Sequence, residues 1–242
     1  MRPSISIVIP AYNEENRLPA TLKKIAAYLR EAEWGPAEIL VVNDGSRDRT
    51  AVAAAHVAAA EPGIRVLENP GNRGKGYSVR HGMLEASGDW VLFSDADLSA
   101  PIEELEKLWQ AARERKASVA FGSRALDRNL IGVRQPLLRD LAGRTFNLTM
   151  RLITGLPWHD TQCGFKLFQR AAAQAVFSRQ LLEGFGFDVE VLFLARILGF
   201  PAVEVPVRWN NVEGSKVTAL RGLAGFVDPL RVRWNQIRGK YH

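Results

Sequence analysis

The chain has 242 residues and a formal net charge of +6; 47% of its residues are hydrophobic and 24% are charged. Apolar residues are too plentiful for a disordered chain, and the length suits one α/β domain better than two small ones. The single cysteine, Cys163, excludes an intramolecular disulfide. The sequence has no signal-peptide pattern and no apolar stretch of the ~18–20 residues that a transmembrane helix needs. It therefore predicts a cytoplasmic protein, at most peripheral to a membrane.

The first half of the chain alternates strand and helix patterns. Apolar runs predict strands at Ser4–Pro10, Glu38–Asn43, Ile64–Glu68, Trp90–Ser94 and Ala117–Gly122. Helical spacing predicts helices at Leu18–Leu29, Asp48–Ala60, Gly74–Ala86 and from Pro101 onward. Repeated β-α units of this kind imply a doubly wound, mainly parallel α/β sheet flanked by helices, which binds ligands at the carboxyl ends of its strands.

The second half is less regular. Its patterns predict helices at Leu138–Ile153 and Asp188–Leu198, and strands at Phe165–Phe168 and Ala202–Val207, before a basic amphipathic stretch. We find no internal repeat, low-complexity tract or linker. A single domain over residues 1–242 is therefore the prediction.

Acidic and amide side chains follow three of the predicted strands. They lie in Pro10–Glu15 after the first strand, Asn43–Asp48 after the second and Asp95–Asp97 after the fourth. Parallel strands deliver such groups to one edge of the sheet. The Gly-x-Gly-x-x-Gly motif of a dinucleotide site is absent after the first strand. Carboxylates at this edge suit ribose hydroxyls, base N–H groups and a divalent metal.

The pair Asp95 and Asp97 is the strongest of these signals. Two carboxylates at the end of a buried strand can hold Mg²⁺, which typically binds one or two carboxylates together with substrate phosphates. Such a metal would neutralise a leaving diphosphate. The alternative is that one of the two aspartates caps the helix that opens at Pro101.

A glycine-rich segment, Asn69–Gly76, follows the third strand and opens a helix. Its glycines permit close backbone approach, and helix N-termini attract anions. The segment does not match the Walker pattern, which argues against an NTPase. A glycine-rich turn with solvated basic residues is the alternative.

Several blocks together resemble glycosyltransferase family 2 and its GT-A fold, with a nucleotide-binding, Rossmann-like first half. These blocks are VIPAYNEE (8–15), VVNDGSRDRT (41–50), NPGNRGKGYSVRHGM (69–83) and FSDADLS (93–99). Four later blocks resemble the dolichyl-phosphate β-glucosyltransferase branch and, more loosely, the polyprenyl-phosphate mannosyltransferases. They are FGSRAL (121–126), DTQCGFKLF (160–168), GFGFDVEVLFLA (184–195) and EGSK (213–216).

The resemblance implies roles for particular residues. It implies that residues 1–122 bind the nucleotide sugar, that 123–216 bind the acceptor and that 217–242 form a basic amphipathic segment. The nucleotide-sugar site would comprise Pro10, Ala11, Tyr12, Glu14, Val42, Asp44, Gly74, Lys75, Asp95, Ala96, Asp97 and Lys216. Asp95 and Asp97 would bind Mg²⁺ or Mn²⁺, Asp44 the nucleobase, Glu14 the ribose and Lys216 the diphosphate. The resemblance implies that Arg124 meets an acceptor or donor phosphate. Because arginine grips phosphate bidentately, we predict that Arg124 and Arg139 bind the acceptor phosphate, and a solvated helix arginine is the alternative for Arg139.

The implied reaction is an inverting transfer of a hexose from a nucleotide diphosphate sugar to a polyprenyl or dolichyl phosphate. Ser99 and Asn210 stand where the mannosyl enzymes often carry Gln and Arg, which favours UDP-glucose. The alternatives are GDP-mannose as donor, a soluble or polysaccharide acceptor, and a non-catalytic sugar-nucleotide binder.

Asp97, Arg124 and Asp188 are the predicted catalytic residues. Asp188 and Glu190 are both candidates for a catalytic base, but residues two apart on a helix point about 200° apart, and we favour Asp188. A lipid phosphate has a second pKa near ~6 and is largely dianionic at neutral pH. Asp188 is therefore expected to orient groups rather than to abstract a proton.

Basic residues concentrate in two stretches that also carry large apolar side chains. Arg124–Arg151 has six arginines against two aspartates, and Arg221–His242 has four arginines and one lysine against one aspartate. This mixture predicts that Leu137–Trp158 and Leu220–Ile237 lie at the inner face of the membrane. Core packing and plain solvated charge are the alternatives. No nucleic-acid motif is present, so nucleic acid is not a predicted partner.

Overall fold

A seven-stranded sheet runs through the centre of the computed structural model, which describes residues 2–133, 137–212 and 227–241. Within the helix over 137–154, the described side chains are those of residues 145 and 147–154. The strands are β1 Ile5–Ala11, β2 Ala37–Asn43, β3 Ile64–Glu68, β4 Trp90–Ser94, β5 Val119–Ser123, β6 Ile131–Val133, β7 Phe165–Gln169, β8 Ala202–Pro206 and β9 Trp209–Asn210. The short strands β6 and β9 form a separate pair.

The strand order in the main sheet is β3-β2-β1-β4-β7-β5-β8. All neighbours pair in parallel except β7, which runs antiparallel to both β4 and β5. The predicted mainly parallel sheet is thus confirmed, while the reversed insertion of β7 was not foreseen. Its consequence is local: β7 brings Lys166 between Phe93 and Phe121, next to the end of β4.

Helices cover both faces of the sheet, as parallel strands require. They are α1 Leu18–Glu31, α2 Thr50–Ala60, α3 Lys75–Glu85, α4 Leu105–Glu114, α5 Leu137–Thr154, α6 Arg170–Phe177, α7 Phe187–Ile197 and α8 Asp228–Ile237. Two differ from the prediction. The helix expected from Pro101 begins with a 3-10 turn, Ile102–Glu104, before α4, and α6 was missed because it follows β7 without a loop.

The core is divided by the sheet into two clusters. On β1, Ile5, Ile7 and Ile9 face one cluster while Val8 faces the other, and all four are fully buried. This alternation explains why the strand has an almost continuous apolar sequence although its side chains point to opposite sides. With both faces covered by helices, the carboxyl edge of the sheet is left to form a site.

None of the helices within the described ranges is long and apolar enough to span a membrane. The predicted amphipathic segments are partly core: Met150 and Val232 are buried, and α5 packs against α8. Other apolar side chains of the same two helices are exposed, among them Leu148, Leu152, Leu230, Trp234 and Ile237. Residues 213–226 of the C-terminal segment lie outside the described part of the chain.

Candidate active site

The ends of β1 and β2 lie side by side and supply the predicted nucleoside pocket. Pro10 pairs with Val42 in the parallel ladder, and the Asp44 N–H donates to the Ala11 carbonyl at 2.9 Å. Tyr12 and Glu14 follow directly on β1 and are partly exposed. The Glu14 carboxylate pairs with Arg17 at 2.7 Å. The structure therefore brings these six predicted positions to one edge, and their contacts with a nucleotide stay a prediction.

Asp44 organises the glycine-rich loop. Its Oδ1 accepts from Asn69 Nδ2 and from the Arg73 N–H, and its Oδ2 accepts from the Gly74 N–H, each at 2.9 Å. Buried Asp44 thus fixes the backbone that leads into α3. A contact with the nucleobase, as the sequence suggests, would have to use the remaining acceptor capacity of this carboxylate.

The backbone amides of the same loop are largely occupied within the protein. Those of Arg73 and Gly74 donate to Asp44, while those of Gly76 and Tyr77 donate to the Glu183 carbonyl at 2.8 and 3.2 Å. These four amides are therefore not free to bind an anion, which the sequence had suggested for this helix N-terminus. The side chain of Lys75 supplies the positive charge at this point instead.

Lys75 contacts one of the two strand-end aspartates. Its Nζ lies 2.6 Å from Asp95 Oδ1, and its side chain is 20% exposed. Burial lowers the pKa of Lys75, but the carboxylates of Asp95, Asp188 and Asp97 outweigh it, and the pKa is raised above its usual value. Lys75 is therefore a permanent cation at the carboxyl end of β4.

Three hydrogen bonds hold the loop after β4. Thr21 Oγ1 donates to the Ala96 carbonyl at 2.7 Å, the Ser99 N–H donates to Asp97 Oδ1 at 2.9 Å, and the Asn210 N–H donates to the Ser99 carbonyl at 2.8 Å. Leu98 takes a φ of 47°, in the left-handed region that is unfavourable for such a side chain. The loop conformation is thus imposed by its neighbours, and it leaves both aspartates partly exposed.

Gly164 of β7's leading loop packs directly against Asp95. The Asp95 N–H donates to the Gly164 carbonyl at 3.2 Å. A Cβ built on Gly164 would lie 2.6 Å from Asp95 Cγ and closer still to its Oδ2. Sequence reasoning missed this residue, although it lies within DTQCGFKLF, because nothing local links it to an aspartate 69 positions earlier in the chain.

Arg124, a predicted phosphate ligand, is held by Asp160. Its Nε donates to Asp160 Oδ2 at 2.7 Å and its Nη2 to Oδ1 at 2.9 Å, while the Trp209 ring lies 5.5 Å from its Cζ. Burial alone would raise the pKa of Asp160. The charge and hydrogen bonds of Arg124 outweigh burial and lower the pKa to about 2. Asp160 therefore stays ionised and fixes the guanidinium, a role that the sequence did not reveal.

Asp188 forms a buried ion pair with Lys166. Lys166 Nζ donates to Asp188 Oδ1 and to the Cys163 carbonyl at 2.7 Å, and both charged side chains are almost wholly buried. Burial raises the pKa of the Cys163 thiol to about 12, so this cysteine stays protonated. Sequence reasoning could not find this pair, because its two residues lie 22 positions apart in the chain.

Glu190 points away from Asp188, as the helical spacing predicts. Its carboxylate accepts from the Leu181 and Leu182 amides and from the Tyr241 hydroxyl, the last at 2.7 Å. Burial raises the pKa of Glu190. Glu190 thus fixes the loop before α7 to the residues after α8 and is not available as a catalytic base.

The three ion pairs form one continuous polar site. The negative charge of Asp188 acts on both Lys75 and Arg124, raising the pKa of each against the effect of burial. In the sheet, β7 carries Lys166 between β4, which leads into Asp95, and β5, which leads into Arg124. Two predicted site residues are not placed: Lys216 lies outside the described residues, and so does the side chain of Arg139.

The residues at the end of β4 fit a hard divalent cation. In the described ranges, no group of three or more His, Cys, Asp or Glu side chains could hold a metal by itself. Two partly exposed carboxylates, Asp95 and Asp97, match the usual Mg²⁺ arrangement, in which substrate phosphates and water complete the coordination. The donor set thus suits a metal that binds together with a diphosphate.

Comparison with known proteins identifies the fold and the relatives. The model of the glycosyl transferase family 2 matches residues 6–177. The dolichyl-phosphate β-glucosyltransferase of Drosophila melanogaster is 40% identical over 227 residues, covering 88% of this chain and 69% of its own. The human enzyme of that name is 36% identical over 225 residues, with the same coverage.

A solved structure of similar fold is glucosyl-3-phosphoglycerate synthase from Mycobacterium tuberculosis in complex with Mn²⁺, UDP-glucose and phosphoglyceric acid. It is 19% identical, covers 95% of this chain and 79% of its own, and has a TM-score of 0.66. At this identity the likeness concerns the fold alone, and it confirms the predicted GT-A architecture.

Proposed function

The chain belongs to glycosyltransferase family 2, and on that premise we propose that it transfers glucose from UDP-glucose to the phosphate of a dolichyl or other polyprenyl lipid, with inversion at the anomeric carbon. The observation that carries this proposal is the arrangement of the three ion pairs. Acidic groups for a metal-bound diphosphate follow β4 and an arginine for a second phosphate follows β5, on either side of β7, whose Lys166 pairs with Asp188.

The donor side would hold the nucleotide diphosphate through a metal and a lysine. Asp95 and Asp97 would bind Mg²⁺ or Mn²⁺, which supplies Lewis-acid stabilisation of the departing diphosphate. Lys75 adds a permanent positive charge at the same strand end. The names of the structural and sequence relatives, which include UDP-glucose, Mn²⁺ and glucosyltransferase, support this choice of donor.

The acceptor side would hold the lipid phosphate through Arg124. Arginine grips phosphate through two parallel hydrogen bonds, and Asp160 already fixes the plane of this guanidinium. A dianionic phosphate oxygen is nucleophilic without loss of a proton. It would form the new bond to the anomeric carbon as the bond from that carbon to the UDP oxygen breaks, and the electron pair would leave with UDP. Asp188 would orient Lys166 and the neighbouring cations.

The proposal predicts a defined product. Incubation with UDP-glucose, MnCl₂ and dolichyl phosphate should yield UDP and a glucosylated lipid phosphate, detected by mass spectrometry. EDTA or Asp97→Ala should reduce the product to background, because the diphosphate would then lack its metal. Transfer only from GDP-mannose, or only to soluble or polysaccharide acceptors, would contradict the proposal. If the protein bound UDP-glucose but neither hydrolysed it nor transferred its glucose, a non-catalytic sugar-nucleotide binder would be favoured.

A membrane-facing surface would supply the lipid acceptor. The exposed apolar side chains of α5 and α8 include Leu152 at 77% and Ile237 at 73% exposure. Exposed Arg231 and Arg233 on α8 and Arg238 directly after it add positive charge, as expected for a helix that rests on anionic headgroups. We therefore propose that the protein binds the cytoplasmic face of a membrane, with α5 and α8 toward the lipid.

Flotation with anionic vesicles tests this surface. The wild-type protein should float with phosphatidylserine-containing vesicles, and Trp234→Ser together with Ile237→Ser should weaken binding, because each loses apolar area at the interface. Val52→Ser is the matched control, since Val52 is 61% exposed on α2. Equal flotation of the double variant and the control would exclude α8 from the membrane surface.

A further inference from the structure

Lys75 occupies one of the two carboxylates that would bind the metal. Its Nζ lies 2.6 Å from Asp95 Oδ1. Gly164 packs against the same carboxylate, since a Cβ built at that position would lie 2.8 Å from Oδ1 and closer still to Oδ2. Of the two Asp95 oxygens, Oδ1 is the one less crowded by Gly164, and it is the one that Lys75 holds.

An ammonium group and a divalent cation compete for this oxygen. Mg²⁺ binds oxygen at about 2.0–2.1 Å, which leaves it only a few ångströms from an ammonium group on the same carboxylate. Like charges at such separations repel strongly in a partly buried site. Metal binding therefore requires Lys75 to move from Asp95 or to find another anionic partner.

A donor diphosphate would provide that partner. Four amides of the loop around Lys75 already bond to Asp44 and to the Glu183 carbonyl, so an anion arriving here meets the lysine side chain first. The flexible lysine stem can follow the anion while α3 stays fixed.

We propose that Lys75 is a built-in counter-ion that blocks Asp95 until the donor diphosphate draws its ammonium group away, so that the divalent metal and the nucleotide bind cooperatively. This inference rests on the proposed function. Lys75 is then a positioning residue for the metal as well as a ligand of the donor, and its removal has opposite effects on the two. Metal binding alone improves, whereas the dependence of metal binding on nucleotide declines.

Mn²⁺ titration followed by electron paramagnetic resonance of the free ion tests this directly, without turnover. In the wild-type protein, UDP should tighten Mn²⁺ binding by a factor within the ~5- to 150-fold range of typical couplings. In Lys75→Met, Mn²⁺ alone should bind about tenfold more tightly than in the wild type, and UDP should add less to it. Lys75→Gln provides a second uncharged variant, and circular dichroism establishes that both are folded.

Arg73→Met is the matched control. It removes one positive charge from the same loop, but the Arg73 guanidinium pairs with Glu183, at 2.8 Å, and not with a metal carboxylate. Its Mn²⁺ affinity without UDP should equal that of the wild type. If Lys75 served only to bind the donor, Lys75→Met would also bind Mn²⁺ alone as the wild type does, and the inference would be overturned. If the wild type bound no Mn²⁺ even with UDP, the proposed function itself would fail.

Discussion

Gly164→Ala is expected to lower turnover by about 100-fold while leaving the protein folded, since displacements of about 1 Å in a catalytic group can cost that much. The added Cβ would lie 2.6 Å from Asp95 Cγ, so the carboxylate must turn away from the metal position. The Gly164 backbone cannot easily retreat, because its carbonyl bonds to Asp95 and the next residue, Phe165, pairs with Ser94 in the sheet. Transfer assays and UDP-dependent Mn²⁺ binding measure the effect.

Gly184→Ala is the matched control for this substitution. A Cβ at Gly184 meets nothing within 4 Å, and the residue lies on the loop that leads into α7, close to the same site. It should keep wild-type turnover, and both variants should show the wild-type circular dichroism spectrum. Full activity of Gly164→Ala would mean that the position of Asp95 against β7 does not matter for the reaction.

The sequence predicted the fold well where local pattern decides it. Each of the strands β1, β2 and β4 is an apolar run buried on both faces over most of its length, so its position follows from the residues alone. The direction of β7 does not, because Phe165–Gln169 could pair either way, and only its partners β4 and β5 decide. The helix α6 was missed because no polar loop separates it from β7.

The residues of the candidate site, like the strands, were predictable where the signal is local in the sequence. Asp95 and Asp97 stand out in the sequence because both chemical signals, a buried strand and two nearby carboxylates, lie within a few residues. The partners of the charged groups come from distant segments: Asp160 is 36 residues from Arg124, and Asp95 is 20 from Lys75. Sequence reasoning therefore found Lys75, Asp95, Arg124 and Asp188, but neither their pairing nor the partners Asp160 and Lys166.

Lys166→Met is expected to destabilise the protein by about 3–5 kcal/mol, the usual effect of removing one partner from a buried ion pair. Lys166 is completely buried and Asp188 nearly so, which means that the substitution leaves the Asp188 carboxylate without its partner in a desolvated position. Urea unfolding gives the free energy directly. Lys24→Met is the control, because the Lys24–Glu103 pair is about half exposed and should contribute less than about 1 kcal/mol.

Removing both charges separates the stability of the pair from its role in the site. Replacement of a buried ion pair by apolar side chains is often neutral. Lys166→Met combined with Asp188→Leu should therefore recover most of the lost stability. Turnover should nevertheless stay low, because Lys75 and Arg124 would lose the negative charge of Asp188, which acts on both. Recovery of both stability and turnover in the double variant would show that the pair is only structural.

Asp188→Asn then distinguishes an orienting carboxylate from a catalytic base. The amide keeps an oxygen that can accept from Lys166 Nζ but removes the negative charge, so turnover should fall and remain measurable. A lipid phosphate that is already dianionic needs no proton removed, and the orienting role is the one that the buried ion pair supports. A loss as complete as that of Asp97→Ala would instead require a base at this position, and with it an acceptor that reaches the site still protonated.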